Sequence, residues 1–183
     1  MAHVAVHEII ANRYIQKHLG EIKDTNEFIK GSIAPDLNEQ LTERRKVKDD
    51  SHYGKWSNGN VETKIDEFLE DKQVKMEQDY WKGYFLHLLT DHYFYNKQFN
   101  KEFKEIKKNK GNLREDYDYI FEKILKKYKI TLSNYTNKYV NIKDGNPKYL
   151  KLDKILDFIE KMSNIDIKNK IEIIKQKGME GIK

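Results

Sequence analysis

The chain contains no cysteine, and its 183 residues include no continuous apolar run of 18 residues. The first absence excludes disulfides and thiolate metal ligands, and it fits a reducing compartment. The second absence excludes a conventional membrane-spanning helix. The N-terminus also lacks the basic and apolar segments of a signal peptide. The sequence therefore predicts a cytoplasmic protein.

Arginine is scarce although the chain is basic. The net charge is +5 and the isoelectric point is about 9.0, yet the only arginines are Arg13, Arg44, Arg45 and Arg114. The lysines are dispersed among Asn, Ile, Tyr and Glu residues. A basic chain can bind nucleic acid, but dispersed lysines are more typical of a solvated surface. Nucleic acid is therefore an alternative partner that the composition does not favour.

A strand-like alternation of any length is also lacking, whereas apolar residues recur at helical spacing along most of the chain. The sequence predicts an all-α protein with a single domain over residues 1–183. The long polar stretch 37–60 is expected to be a loop that is either functional or mobile. Helices are predicted over 3–19, 24–31, 61–69, 76–99, 112–128, 133–140, 147–159 and 166–176.

An apolar segment near the middle of the chain carries an unusual polar pair. Within Gly83–His92, His87 and Asp91 are four residues apart and so lie on the same face of a helix. An imidazole and a carboxylate at this spacing can bind one divalent metal ion. A His–Asp hydrogen bond inside the core is the alternative, because a buried carboxylate needs a partner.

Three other segments add similar donors. Gly31–Asp36 is predicted to be a turn that ends in an acid, since Pro35 restricts the backbone. His52 lies in a loop-like context, and an amphipathic helix near the N-terminus carries both His3 and His7. Imidazole nitrogens and carboxylate oxygens without sulfur suit Zn²⁺, Mn²⁺ or Fe²⁺ in a hydrolytic site.

The order of these segments resembles the zinc-dependent phospholipase C family. The motifs are a histidine on an N-terminal helix, G-x-x-x-P-D, [ST]-H-[YF] and G-Y-x-x-H-L-L-x-D, all before about Phe99. The chain is most similar to short bacterial members, which are distantly related to the fungal single-strand nucleases. The resemblance implies the ligand set His7, Asp36, His52, His87 and Asp91. His3 lies four residues before His7 on the same helix face, so it is an alternative or an additional ligand to His7.

The resemblance also implies an architecture and a cofactor. The fold expected is a compact multi-helix bundle of the phospholipase C and single-strand nuclease type. Residues 1–99 then carry the metal site, and residues 100–183 form a helical scaffold or lid. The full phospholipases hold three zinc ions and take later ligands from two histidines and a glutamate. Because no histidine follows His92, one or two ions are expected, with zinc favoured over manganese and iron.

The function implied is metal-dependent hydrolysis of a phosphoester bond. The substrate is expected to be a small phosphate, a nucleotide or a lipid head group, and Asp36 is expected to orient or deprotonate the attacking water. Arg44, Arg45 and Lys46 either approach the phosphate or form a solvated loop. The main alternative is a catalytically degenerate family member that binds metal for structure or sensing.

Two further alternatives have less support in the sequence. An HD-type phosphohydrolase requires a His-Asp dipeptide, and the chain has only the reversed pair Asp91-His92. A helical interaction module without metal is the remaining possibility. It would leave the ordered His and Asp positions unexplained.

Overall fold

The computed structural model describes residues 2–37, 51–57, 60–72, 75–109, 111 and 113–182. Within these ranges the regular secondary structure is helical apart from one hairpin, which confirms the predicted all-α class. No helix in the described ranges is long and apolar enough to cross a membrane. The basic run at 44–46 lies outside them. The helices are α1 (Val4–Lys17), α2 (Thr25–Leu37), α3 (Ile65–Lys72), α4 (Asp79–Tyr93), α5 (Asn100–Lys108), α6 (Leu113–Tyr128), α7 (Asn134–Asn137), α8 (Leu152–Ser163) and α9 (Ile167–Lys177).

Two shorter helical segments and two strands complete the fold. A π-helical turn (Phe94–Gln98) continues α4, and a 3₁₀ helix (Gly178–Ile182) follows α9. The strands β1 (Gly54–Ser57) and β2 (Asn60–Thr63) pair antiparallel.

The closest approach between helices is that of α2 and α4. A Cβ added to Gly31 would lie 1.9 Å from the carbonyl oxygen of Tyr80, and one added to Gly83 would lie 2.0 Å from that of Phe28. Only glycine permits this backbone contact. The contact holds the end of α2, which carries Asp36, beside the helix that carries His87 and Asp91.

The prediction that α2 ends at Gly31, and that the following residues form a turn, is wrong. The helix continues to Leu37 with Pro35 inside it. Proline normally disfavours the interior of a helix, but here the chain packs against α4 along this whole length. Gly31 therefore serves close packing between helices rather than helix termination.

The predicted helix over 61–69 is also wrong at its start. Residues 60–63 form β2, and α3 begins only at Ile65. In the hairpin, Ser57 pairs with Asn60 and Gly54 pairs with Thr63. The two residues between the strands are Asn-Gly in the sequence, which is the strongest short signal for a hairpin.

A helix was predicted to begin at residue 147, but the observed helix α8 begins five residues later, at Leu152. The carboxylate of Asp116 on α6 accepts the backbone N–H groups of Lys148, Tyr149 and Leu150 at 2.6–2.8 Å. These three N–H groups converge on one buried side chain, so residues 148–150 are held outside the helix. The predicted helix over 133–140 is likewise shorter, since α7 covers only Asn134–Asn137.

Candidate metal centre

The five side chains that the sequence predicts as metal ligands lie together in the structure. They come from α1, from the end of α2, from the segment before β1 and from α4. All are buried, and the most exposed retains only 8 % of its accessible surface. They are His7, Asp36, His52, His87 and Asp91.

The distances among these donors fit a shared ion. His7 Nε2 lies 3.4 Å from Asp91 Oδ1 and 3.8 Å from Asp36 Oδ2. His52 Nε2 lies 3.3 Å from Asp36 Oδ1 and 3.8 Å from Asp91 Oδ2. Ligands bound at about 2.0–2.2 Å around one tetrahedral ion are roughly 3.4 Å apart. The observed separations of 3.3–3.8 Å are close to those expected of neighbouring ligands of one metal ion.

The ring of His87 is oriented by the backbone of α2. Its Nδ1 lies 2.8 Å from the carbonyl oxygen of Ser32 and must donate a proton to it. The Nε2 atom therefore carries the lone pair, and it lies 3.8 Å from Asp91 Oδ2. This distance is too long for a hydrogen bond. The core hydrogen bond, one of the two interpretations of the His87–Asp91 pair, is not present.

The ring of His52 is oriented in a similar way by Ser51. The Ser51 hydroxyl donates to the carbonyl oxygen of Pro35 at 3.1 Å, and it accepts the Nδ1 proton of His52 at 2.9 Å. The Tyr84 hydroxyl donates to the backbone carbonyl of Ser51 and fixes this segment against α4. His52 Nε2 thus faces the carboxylate of Asp36 and lies 3.3 Å from its Oδ1, within hydrogen-bond distance.

Several buried ligand atoms have no hydrogen-bond partner among the described residues. They are both ring nitrogens of His7, Nε2 of His87, and one carboxylate oxygen each of Asp36 and Asp91. Buried polar atoms are normally paired, and an unpaired buried charge is costly. The ion pairs that Lys and Arg form in the described residues do not reach either carboxylate. A divalent cation satisfies both the charge and the lone pairs.

The protonation states also suit a metal. Burial lowers the pKa of His87 to about 3, so this ring is neutral at pH 7. Burial alone raises the pKa of both carboxyl groups, but the neighbouring histidines outweigh it. They lower the pKa of Asp36 to about 2 and hold the pKa of Asp91 below its usual range. Neutral imidazole and ionised carboxylate are the forms that bind metal ions.

The donors form two overlapping triads. One consists of His7, Asp36 and His87, and the other of His52, His87 and Asp91. His87 belongs to both, and only its Nε2 is available because its Nδ1 is bonded to the Ser32 carbonyl. A single lone pair binds one ion. His87 is therefore the ligand on which any arrangement of these two triads depends.

His3 neither replaces nor joins His7. Its Nδ1 accepts the backbone N–H of Ala5 as the N-cap of α1, and its Nε2 lies 3.2 Å from the carbonyl oxygen of Tyr139. Both ring nitrogens are thus used. His18 is the C-cap of α1, and its Nδ1 lies 3.3 Å from a carboxylate oxygen of Glu21.

Three acidic side chains on α6, which are the same kind of donor as Asp36 and Asp91, pair with other groups. Asp116 holds the backbone at 148–150, as described above. Asp118 forms an ion pair with Lys143 at 3.0 Å, and Glu122 forms one with Lys126 at 2.8 Å. None of the three belongs to a potential metal site within the described residues.

Comparisons of the chain with protein-family models, with curated proteins and with solved structures gave no significant match. The resemblance to the phospholipase C family therefore stays a prediction from the motifs. The interpretation of the site depends on its geometry.

Proposed function

We propose that this protein is a metal-dependent hydrolase that cleaves a phosphoester bond. The observation that carries the proposal is the convergence of five buried donors, four of which (His7, Asp36, His87 and Asp91) have a side-chain atom with no hydrogen-bond partner among the described residues. A set of three imidazoles and two carboxylates without sulfur favours zinc, with manganese and iron as alternatives. Such an ion supplies Lewis-acid chemistry, because it polarises a phosphoryl oxygen and provides hydroxide near neutral pH.

The residues of the site divide into two roles in this proposal. His52, His87 and Asp91 hold the ion, and their orientation is fixed by Ser51, the Ser32 carbonyl and the helix α4. Asp36 retains 8 % exposure, the largest value among the five donors. It is therefore the donor best placed to orient an attacking water and accept its proton. His7 completes the set from α1.

The proposed substrate is a small phosphoester, and the proposed fold type is that of the phospholipase C and single-strand nuclease group. Two facts support this choice over a simple metal store. The motif order matches that group, and the donor set is typical of hydrolytic rather than electron-transfer sites. The substrate class comes from the resemblance, and the phosphodiester assay described next tests it.

Metal analysis followed by an activity assay tests the proposal. We expect the purified protein to carry about one to two equivalents of zinc, iron or manganese, and to hydrolyse bis(p-nitrophenyl) phosphate. A chelator should abolish turnover, and added Zn²⁺ should restore it. His18→Ala is the matched control, because His18 is a histidine outside the site. Absence of bound transition metal, together with no thermal stabilisation on adding one, contradicts the proposal.

A structural or sensing metal site is the second candidate, and one observation favours it. All five donors are nearly inaccessible, and structural zinc sites are closed whereas catalytic sites keep an open position. A protein that binds one equivalent of metal and gains stability, but shows no turnover of phosphodiesters or phosphomonoesters, would support this candidate over the enzyme.

A further inference from the structure

Tyr53 directly follows His52 and has a left-handed backbone conformation. Its φ is 44°, and in the described part of the chain the only other residue besides glycine with a positive φ is Lys129, at 52°. This conformation is uncommon for a residue with a Cβ, and it persists only where the surrounding structure holds it. The contacts of Tyr53 show what holds it here.

Helix α3 and the residue before it hold Tyr53 at three points. The Tyr53 hydroxyl donates to Asp71 Oδ2 at 2.6 Å, and its ring lies edge-on to that of Phe68, with the centroids 5.2 Å apart. The carbonyl oxygen of Tyr53 accepts the backbone N–H of Lys64 at 2.6 Å. These contacts fix both the side chain and the backbone of Tyr53 against α3.

The two neighbours of His52 are held by aromatic side chains that stack on each other. Tyr84 on α4 donates its hydroxyl to the carbonyl oxygen of Ser51, and Phe68 on α3 contacts Tyr53. The rings of Phe68 and Tyr84 are stacked, with centroids 5.3 Å apart and planes inclined by 12°. His52 is therefore the middle residue of a segment that is fixed on both sides.

The N–Cα bond of Tyr53 is the joint between His52 and the hairpin. The hairpin side of this joint cannot shift freely, because Gly54 is paired in β1 and a Cβ there would lie 2.6 Å from the carbonyl oxygen of Glu62. A change of φ from 44° to an ordinary value of about −60° is a rotation of about 100°. With the hairpin held, that rotation would move His52 away from Asp36.

We propose that Tyr53 is a positioning residue of the metal centre. Its left-handed backbone, held by α3, keeps the imidazole of His52 beside the carboxylates of Asp36 and Asp91, at 3.3 and 3.8 Å. The inference rests on the proposed function, because it requires that His52 binds the metal ion. It goes beyond that function by assigning a role that acts through backbone geometry rather than through contact with the ion.

Two substitutions that remove the same contacts but differ in backbone preference test this role. Tyr53→Asn and Tyr53→Val both lose the hydrogen bond to Asp71 and the ring contact with Phe68. Asparagine adopts the left-handed conformation more readily than most residues, whereas the branched Cβ of valine disfavours it. We expect Tyr53→Val to bind Zn²⁺ about tenfold more weakly than Tyr53→Asn, measured by competition with a chromogenic chelator. Tyr53→Ala replaces Tyr53→Val if the latter does not fold, and the same order is expected.

The same pair of substitutions in a His52→Ala background separates positioning from general stability. Without the imidazole, Tyr53 has no ligand to position, so the two double variants should bind Zn²⁺ equally. Lys129→Asn and Lys129→Val are the matched controls, because Lys129 has the same backbone conformation at an exposed position. These two should differ in urea unfolding and not in zinc affinity.

Equal zinc affinity of Tyr53→Asn and of the valine or alanine variant overturns the inference and leaves the proposed function standing. The same ratio of affinities in the His52→Ala background also overturns the inference, because Tyr53 then acts on the fold as a whole. Failure of the wild type to bind zinc overturns the proposed function, and the inference with it.

Discussion

The imidazole rings of His7 and His87 are stacked, with their centroids 3.7 Å apart and their planes inclined by 17°. The first ring belongs to α1 and the second to α4, so the stack joins two helices that are distant in sequence. Two protonated rings at this separation would repel each other strongly. Burial and the proximity of His7 keep His87 neutral at pH 7, with its pKa lowered to about 3. Its Nε2 lone pair is therefore available to a metal.

The three histidines of the site should differ in their importance for metal affinity. His87→Ala removes the donor common to both triads, whereas His7→Ala leaves His52, His87 and Asp91 in place, and His52→Ala leaves His7, Asp36 and His87. We expect His87→Ala to weaken Zn²⁺ binding by more than about 100-fold. A zinc-binding free energy of roughly 10–16 kcal/mol, divided among four ligands, corresponds to about 3 kcal/mol for each ligand.

His7→Ala and His52→Ala should each have a smaller effect than His87→Ala. Competition with a chromogenic chelator measures the three affinities, and His18→Ala should match the wild type. Equal affinity of all four variants would show that these histidines only pack in the core. In a thermal scan, Zn²⁺ at 100 times its Kd should add about 2.7 kcal/mol to the wild type.

Gly31→Ala tests whether close helix contact builds the site. The new Cβ would lie 1.9 Å from the Tyr80 carbonyl oxygen, and the overlap cannot be relieved by a side-chain rotation. We expect a loss of about 3 kcal/mol or more in the free energy of unfolding, together with weaker zinc binding. Urea unfolding and metal titration measure the two effects. If Gly31 merely ended a helix, alanine would be neutral or stabilising.

Gly20→Ala is the control for Gly31→Ala. Gly20 has a positive φ of 85°, and a Cβ there would meet nothing within 4 Å. Alanine at this position carries backbone strain of about 1–2 kcal/mol but should leave zinc affinity unchanged. Weakened zinc binding in Gly20→Ala would show that any loss of stability impairs the site.

Asp79 should make the fold sensitive to acid. Its carboxylate accepts the backbone N–H groups of Lys23 and Asp24 at 2.8 and 2.7 Å, and it pairs with Lys82 at 2.9 Å. Burial raises the pKa of Asp79, but these donors outweigh it and hold the pKa below 3.8. The stabilisation is therefore present above about pH 4 and is lost as the pH falls through the folded pKa.

Asp79→Asn should lower the free energy of unfolding by about 2 kcal/mol at pH 7, and the difference from wild type should shrink at pH 3. Urea unfolding at both values measures it. Asp157→Asn, which alters a largely exposed carboxylate paired with Lys161, should leave the unfolding midpoint unchanged. The two free energies of unfolding are compared at each pH. If Asp79→Asn is destabilised by the same amount at pH 3 and at pH 7, the Asp79 carboxylate is not the source of the acid sensitivity.

Asp116→Asn tests whether the Asp116 carboxylate stabilises the fold or binds the metal ion. Its carboxylate accepts three backbone N–H groups at residues 148–150, and asparagine keeps only one acceptor oxygen. We expect a loss of about 2 kcal/mol in stability with the zinc affinity unchanged. Unfolding and chelator competition measure the two quantities. A loss of metal in this variant would place a ligand in the second half of the chain.

The Gly31–Asp36 segment and the hairpin show where the predictions from local sequence fail. Gly31 and Pro35 have the local properties of a helix end, yet α2 continues through both. A proline inside a helix costs a few kcal/mol, and the packing of α2 against α4 outweighs this cost. At the hairpin the sequence contains the turn signal Asn58-Gly59, but the prediction of a helix over 61–69 was made from helical spacing and did not use it.

The sequence by itself determined the helical class, because apolar spacing is a property of neighbouring residues. It also supplied the five candidate donors, because their residue types and order are visible without a fold. Only the tertiary structure decided that His3 is an N-cap and His7 a site residue, although the sequence predicts both on one face of the same helix. It likewise decided that His87 and Asp91 do not bond to each other. Those outcomes depend on where α2 and the segment after α7 place their carbonyl oxygens, and contacts between distant segments are set by packing rather than by local pattern.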